Sequence, residues 1–468
     1  MAFHKINPDD VALFKSVLGE RYVLADEENI ARCASDQTED LHYKPEIVLQ
    51  PGTTVEVSAI MKYCNKQLIP VTPRGAGTGL SGGALPVWGG VALDMKRFNK
   101  ILHVDKRNFQ VTTEPGVITQ VLQEHLKTEG LFYPPDPASK GSCFIGGNVS
   151  ENSGGPRAVK YGVVKDYVLN LEMVLPDGQI IWTGANVLKN ATGYNLTQLI
   201  VGSEGTLGVI TKIVLRLIPA VKHDLLMLVP FRSAVEACAA VNAIFLAGYT
   251  PSALEFMERD ALEWSMRYVQ SSGVNLPDDI KAHLLIEVDG NHLEELYRDA
   301  EAISQIVQQY DIDEILLADS HEQKQMLWTL RRKVGEAVKS NSIYKEEDTV
   351  VPRAELPELL QIIKTLGKEY GFQSVCYGHA GDGNLHVNIV KGNMSDEDWN
   401  NKLTDGIRKL FQEVVRMGGT ISGEHGIGLV QKEYMDIAFN AVQMSLMRQI
   451  KQVFDPNGIL NPGKIFMS

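Results

Sequence analysis

The sequence predicts an α+β protein of two or three domains. Three observations carry that expectation. The chain has 468 residues, and at roughly 150 residues per domain this exceeds what one core organises. Between Pro45 and about Pro219, short Val/Ile/Leu runs alternate with glycine-dense loops, and helical stretches are few. Beyond Lys222 the glycines thin out and apolar residues recur at helical spacing. The expected divisions are a polar helical segment at 1–44, a loop-rich α+β domain at 45–220, a second α+β domain at 221–418 and a C-terminal segment at 419–468.

The elements follow in order. Asn7, Asp9 or Asp10 is placed to cap a helix running through Leu18. Thr54–Lys66 and Ile118–Thr128 have helical spacing, while Val91–Asp94 and Val168–Leu175 read as buried strands. In the second half Ser233–Leu246 and Asn291–Gln309 read as helices and Ala282–Val288 as a strand. The last segment has a glycine-rich turn, a long helix, and the tail FDPNGILNPGKIF, whose Pro456, Gly458, Pro462 and Gly463 end the helix and fix turns.

Composition removes several classes of function. With 44% hydrophobic and 22% charged residues the chain is globular, not disordered. Its 45 basic against 58 acidic residues, a net charge of −13, oppose non-specific nucleic-acid binding. The longest basic run is Arg331-Arg332-Lys333. No window supplies the roughly 18 consecutive apolar residues of a membrane span, and the N-terminus lacks the apolar core of a signal peptide. The five cysteines, Cys33, Cys64, Cys143, Cys238 and Cys376, are nowhere closer than 31 residues. That spacing excludes a C-x-x-C iron–sulfur or structural zinc cluster and fits reduced thiols in a cytoplasmic compartment.

Three glycine loops stand out. Pro73-Arg74-Gly75-Ala76-Gly77-Thr78-Gly79-Leu80-Ser81-Gly82-Gly83 holds five glycines and two hydroxyls in 11 residues. Such a backbone can take positive φ and turn successive amides onto an anion such as a pyrophosphate. A plain surface loop is the competing reading. A nicotinamide-type GxGxxG is excluded, because the chain after Gly83 runs into a strand where that motif needs a helix. Pro135–Ser142, Ile145–Asn148 and Asn152–Gly155 form a second cluster of turns suited to the polar edge of a flat heterocycle. Gly202–Ile210 is the third and again enters a strand. Three loops of one chemistry within about 140 residues suggest one long ligand lying across a sheet.

PRGAGTGLSGG, PPDPASKGSCFIGGNVSENSGG, KYGVVKDYVLNLEMVLPDG and GSEGTLGVIT resemble the flavin domain of the vanillyl-alcohol oxidase superfamily. GHAGDGNLHVN, SGEHGIG and FDPNGILNPGK narrow the resemblance to its D-2-hydroxyacid dehydrogenases, which include D-lactate and D-2-hydroxyglutarate dehydrogenases and the flavin subunit of glycolate oxidase. The resemblance spans about residues 40 to 466. It implies a two-part FAD-binding domain, an α+β substrate or cap domain and a C-terminal segment completing the active site. It puts the FAD pyrophosphate on Arg74, Gly75, Ala76, Gly77, Thr78, Gly79, Ser81 and Gly82. The isoalloxazine would meet Pro135, Ser139, Gly146, Asn148 and Ser153, with Glu204, Gly208 and Ile210 nearby. Some relatives tether FAD through a histidine in the first loop; here Thr78 stands there, so non-covalent FAD is expected.

In Gly378–Asn388 the alternation from Leu385 points His386 and Asn388 to one face of a strand, and a turn of small residues folds His379 back towards His386. Gly423-Glu424-His425-Gly426 adds a carboxylate and an imidazole. Two imidazoles and a carboxylate suit a borderline metal, although isolated histidines are more often ordinary core or surface residues. The resemblance assigns metal ligands to His379, His386 and Glu424, with zinc first and manganese or another divalent ion as alternatives. His425 then serves as the base for the substrate hydroxyl, and hydride passes to the flavin.

A hydroxy acid also needs a cation for its carboxylate. The resemblance assigns Arg331, three residues after Trp328, and Lys345; Arg332 and Lys333 read as a solvated helix face. Hydroxyglutarate-using relatives carry a threonine where this chain has Gly335, and the Arg331–Lys345 spacing is one residue short of theirs. D-lactate is therefore favoured, with D-2-hydroxyglutarate or glycolate as alternatives. Electrons would leave to an electron-transferring flavoprotein, a quinone or an iron–sulfur subunit, and such an acceptor could hold the protein at a membrane surface. Two other readings stay open from sequence. A metal-dependent hydrolase would leave the glycine loops unexplained, and a silent electron-relay flavin subunit would not need the intact His/Glu/Arg set.

Overall fold

Two units build the chain in the computed structural model, which describes residues 3–271 and 273–467. The first comprises the chain up to Gly154, Val163–Ala220 and everything from Glu424 onward; the second comprises Gly155–Gly162 and Val221–Gly423.

In the first unit, Asn7 caps helix Pro8–Leu18, and the Asp10 side chain returns to the Asn7 amide, a reciprocal capping box. This cap, worth about 1 kcal/mol, aims Phe14 and Leu18 into a core with Ile47, Leu49, Val71 and Leu93. The N-terminal segment is thus built into the first unit and is not an appendage. Strands Ile47–Leu49, Val91–Asp94 and Val71–Arg74 run parallel, with Val23–Leu24 antiparallel at one edge. Each wholly buried aliphatic side chain here contributes roughly 1.5–3 kcal/mol. The C-terminal tail lies along the other edge: the Val71 amide donates to Ile459 O at 2.8 Å, and the Asn461 amide donates to Val71 O at 2.8 Å.

The second sheet of this unit is antiparallel, in the order Ile101–Asp105, Gln110–Thr113, Val209–Arg216, Val168–Val174, Ile180–Trp182. Ile145–Glu151, expected as turns, is a helix. Glycine costs about 1 kcal/mol relative to alanine in a helix, but close packing requires it here. A Cβ on Gly146 would stand 2.4 Å from Pro115 Cβ.

The second unit is a seven-stranded antiparallel sheet ordered Leu316–Ala318, His223–Phe231, Ala282–Gly290, Ala253–Glu258, Gln373–Gly378, Asn384–Val390, Tyr344–Val350. Register fixes its chemistry. Met257 pairs with Tyr377, Tyr377 with His386, and His386 with Asp348, so one face carries these residues together with Glu255 and Glu346. Helices Arg259–Tyr268, His321–Arg332 and Val334–Asn341 pack their apolar residues with Met257 and Tyr377. The alternate residues Leu385, Val387 and Ile389 are wholly buried on the opposite face, where helix Leu356–Tyr370 brings Lys364 to Glu258 at 2.8 Å.

Among the described residues no helix is long and apolar enough to cross a membrane. All five cysteines are buried free thiols. Burial pushes Cys64, Cys238 and Cys376 far up, so they are packing groups.

Candidate active site

The three glycine loops converge in the first unit. One pocket is lined by Arg74, Gly75, Ala76, Gly77, Thr78 and Gly79, by Ser139, Gly146, Asn148 and Ser153, and by Glu204, Gly208 and Ile210. The sequence reading missed Phe144 and Glu151, which line the same pocket, and Glu424 and His425 also face it. The loop turns at Gly77, whose φ is +73°. That left-handed conformation is one that glycine adopts readily and other residues rarely do, and a Cβ there would press on the Arg74 guanidinium.

Several of these residues also hold the loops together. Arg74 Nη2 donates to Arg32 O at 3.2 Å and Ser35 O at 2.8 Å, fastening the 32–35 loop, while its buried Nη1 has no hydrogen bond. Ser81, Gly82 and Pro135 are not among the lining residues. Ser81 O accepts from the Leu429 amide at 2.7 Å, Gly82 O from the Leu85 amide at 3.2 Å, and Pro135 O from Gln123 Nε2 at 2.9 Å. Glu204 accepts from the Ile427 and Gly428 amides at 2.8 and 2.6 Å, tying the turn after His425 to the third loop. The Asn148 side-chain Nδ2 donates to Thr119 Oγ1 at 2.7 Å, and Glu424 Oε2 accepts from the Gly154 backbone amide at 3.1 Å.

The pocket fits a long anionic cofactor such as FAD. Its walls are backbone amides, glycine surfaces that a side chain would fill, and an unpartnered arginine nitrogen. Burial, then the neighbouring Glu204 and Asp36, pushes the Glu151 carboxyl well above its ordinary value. Burial also raises Glu204. Lys464 is pushed down to about 7, by burial first.

In the second unit, His379 and His386 are brought together as expected, ring centroids 5.4 Å apart. Both imidazoles are buried. His379 Nδ1 lies 2.9 Å from both Glu255 oxygens. His386 Nδ1 lies 3.6 Å from Asp348 Oδ1 and 3.7 Å from Glu346 Oε1. Carboxylates thus face the Nδ1 edges, an arrangement in which Nε2 would be the ligating nitrogen and which fits a divalent metal.

Arg331 lies beside this pair, 4% exposed, with Nη2 2.6 Å from Glu255 Oε2 and its guanidinium carbon 5.0 Å from the Tyr377 ring centroid. Arg331 Nε is buried without a hydrogen bond. Complete burial pushes the Glu255 carboxyl up, but Arg331 and then His379 pull it further down, to a net position below the ordinary value. Trp328 fixes the helix by donating to Glu287 at 3.0 Å, and Lys333 pairs with Glu336 as a surface lysine should.

Lys345 is not where the sequence reading put it. It alternates with Glu346 on strand Tyr344–Val350 and so leaves the face that holds Arg331 and His386. Its Nζ lies 5.7 Å from the Trp399 ring centroid. Glu255 and Tyr377, by contrast, are central to the cluster and were missed. No local pattern marked them; only sheet register reveals them.

This arrangement is the two-domain FAD-binding fold of the vanillyl-alcohol oxidase type. Residues 45–184 match the family described as "FAD binding domain", and residues 221–465 match "FAD linked oxidases, C-terminal domain". The chain is 38% identical to a D-lactate dehydrogenase of Anaerostipes hadrus, covering 99% of this chain and 98% of the relative. It is 38% identical to the glycolate oxidase subunit GlcD of Bacillus subtilis, covering 92% and 91%. It is 34% identical to an Oryza sativa subsp. japonica protein named as a probable mitochondrial D-2-hydroxyglutarate dehydrogenase, covering 99% and 83%. Among solved structures, p-cresol methylhydroxylase superposes with a TM-score of 0.79 at 18% identity, over 98% of this chain and 96% of that one. The 4-ethylphenol oxidase of Gulosibacter chungangensis gives 0.76 at 19%, over 100% and 99%. The chain belongs to the FAD-linked D-2-hydroxyacid dehydrogenase family, and it is an FAD-dependent oxidoreductase acting on 2-hydroxy acids.

Proposed function

We propose that the protein oxidises D-lactate to the 2-oxo acid with non-covalent FAD and a divalent metal, zinc or manganese, and passes the electrons to an external acceptor. The relatives' names point to lactate, glycolate and hydroxyglutarate at 38%, 38% and 34% identity, so identity alone does not rank these acids. The observation that favours a short acid is at Gly335. A Cβ there would lie 3.1 Å from Tyr377 Oη, so the phenol occupies the space where a side chain at this position would reach. That hydroxyl is 3.2 Å from Glu346 Oε1. A second substrate carboxylate would meet the carboxyl groups of Glu346 and Asp348, while Lys345 lies on the other face. A wall of carboxyl groups offers such a ligand no opposite charge.

In this reading Arg331 holds the substrate carboxylate, and its unbonded Nε is a ready donor. By the family resemblance, His379, His386 and Glu424 would be the residues that hold the metal. His425 takes the hydroxyl proton as a neutral base. When bound, FAD supplies the two-electron acceptor and the metal supplies the positive charge that acidifies the hydroxyl. The departing electrons require an electron-transferring flavoprotein, a quinone or an iron–sulfur subunit as partner.

D-lactate should therefore turn over with a higher kcat/KM than D-2-hydroxyglutarate in parallel assays. A preference for hydroxyglutarate of about tenfold, roughly 1.4 kcal/mol, would refute the short-acid reading and require another cation in the cluster. The purified protein should also be yellow and release intact FAD on acid or heat treatment, because Thr78 occupies the tethering position. Flavin that stays on the denatured chain would sink the non-covalent assignment.

A further inference from the structure

We propose that Glu255 is a positioning residue that orients the metal-ligating imidazole of His379 and the substrate-binding guanidinium of Arg331 through one buried carboxylate. This rests on the metal and carboxylate roles proposed above. Glu255 sits on strand Ala253–Glu258 and is wholly buried. Both of its oxygens lie 2.9 Å from His379 Nδ1, and Oε2 lies 2.6 Å from Arg331 Nη2.

The chemistry of the donors gives each contact a consequence. A carboxylate only accepts, so the proton of the neutral His379 ring must sit on Nδ1. The lone pair is then on Nε2, the nitrogen that would ligate a metal. Carboxylate partners of this kind fix the tautomer and orientation of ligating histidines and raise their basicity. The same carboxylate holds one corner of the Arg331 head, while Nε keeps a hydrogen to offer.

A 2-hydroxy acid carries its carboxylate and hydroxyl on adjacent carbons. The groups that bind them must be held at a fixed separation, and a shared buried anchor does this. A purely structural ion pair is the competing explanation. Buried pairs are often replaceable by apolar residues without loss of stability, whereas removing one partner is costly. The two explanations differ in what the double replacement restores.

The test uses the full-length flavoprotein and three variants: Glu255→Gln, Arg331→Met and Glu255→Gln with Arg331→Met. Each is titrated with Zn²⁺ alone against a chromophoric chelator, and its FAD content, melting temperature and D-lactate kinetics are recorded. Glu255→Gln should keep its FAD and weaken Zn²⁺ binding by about 10- to 100-fold, with saturating Zn²⁺ restoring kcat more than KM. The double variant should recover melting temperature but not Zn²⁺ affinity, whereas Arg331→Met alone should bind Zn²⁺ nearly as the parent does. Zn²⁺ affinity within about twofold of the parent in Glu255→Gln, with only its melting temperature lowered, would leave Glu255 a structural ion-pair partner and overturn the proposal. A parent protein that binds no Zn²⁺ or Mn²⁺ and keeps full activity after chelation would instead remove the metal reading, and this proposal with it.

Discussion

Replacing His379, His386 or Glu424 with alanine is expected to lower turnover by roughly 10³-fold or more, because on the proposed metal reading the charge that would acidify the substrate hydroxyl contributes several kcal/mol. The flavin should remain bound. His379 and His386 belong to the second unit, whereas the flavin pocket is built in the first from loop backbones. Glu424 lines that pocket, but it is one side chain among many backbone contacts, so its loss should weaken FAD binding only slightly. The flavin absorbance, the metal content by elemental analysis and steady-state rates with D-lactate together check this. Metal and activity should disappear together in all three variants. Full wild-type activity after exhaustive chelation, with no metal detected, would show that the histidine pair has another purpose.

The flavin half of the protein was legible because glycine leaves a local signature. A loop that must turn at Gly77 or press Gly146 against Pro115 shows its need in the composition of a short window. Helix starts were equally readable, since Asn7 and Ser233 mark their own caps. Alternation from Leu385 correctly separated His386 from the apolar positions. What the sequence hid was decided by pairing over long distances. Glu255 acquires its meaning from His379, which is 124 residues away, and nothing in SALEFMERD distinguishes it from Glu258. Lys345 is a different case: the alternation of its own strand turns the side chain away from the face of His386. The helix at Ile145–Glu151 was hidden by its glycines, whose poor propensity is overridden by tertiary packing.

Arg331→Ala should reduce kcat/KM for every 2-hydroxy acid by about 10²-fold or more, about 3 kcal/mol, the magnitude of a lost charge-assisted contact in a buried site. The expectation follows from three features of its setting. The guanidinium is 4% exposed, so solvent cannot replace it as partner for a carboxylate. Its position is fixed by Glu255 on one side and the Tyr377 ring on the other, so little conformational entropy is lost when a ligand binds. Its Nε has no hydrogen bond and would gain one from a bound carboxylate. Removing the side chain also leaves Glu255 with His379 alone, and breaking a buried pair costs about 3–5 kcal/mol of stability. The melting temperature should therefore fall as well, and Arg331→Lys separates the two effects. Lysine keeps a charge for Glu255 but cannot present a planar fork, so it should recover more of the melting temperature than of kcat/KM. Equal kcat/KM for D-lactate in Arg331→Lys and the parent would show that a point charge suffices and that no fork is used. Unchanged kcat/KM in Arg331→Ala would move the carboxylate to another cation altogether.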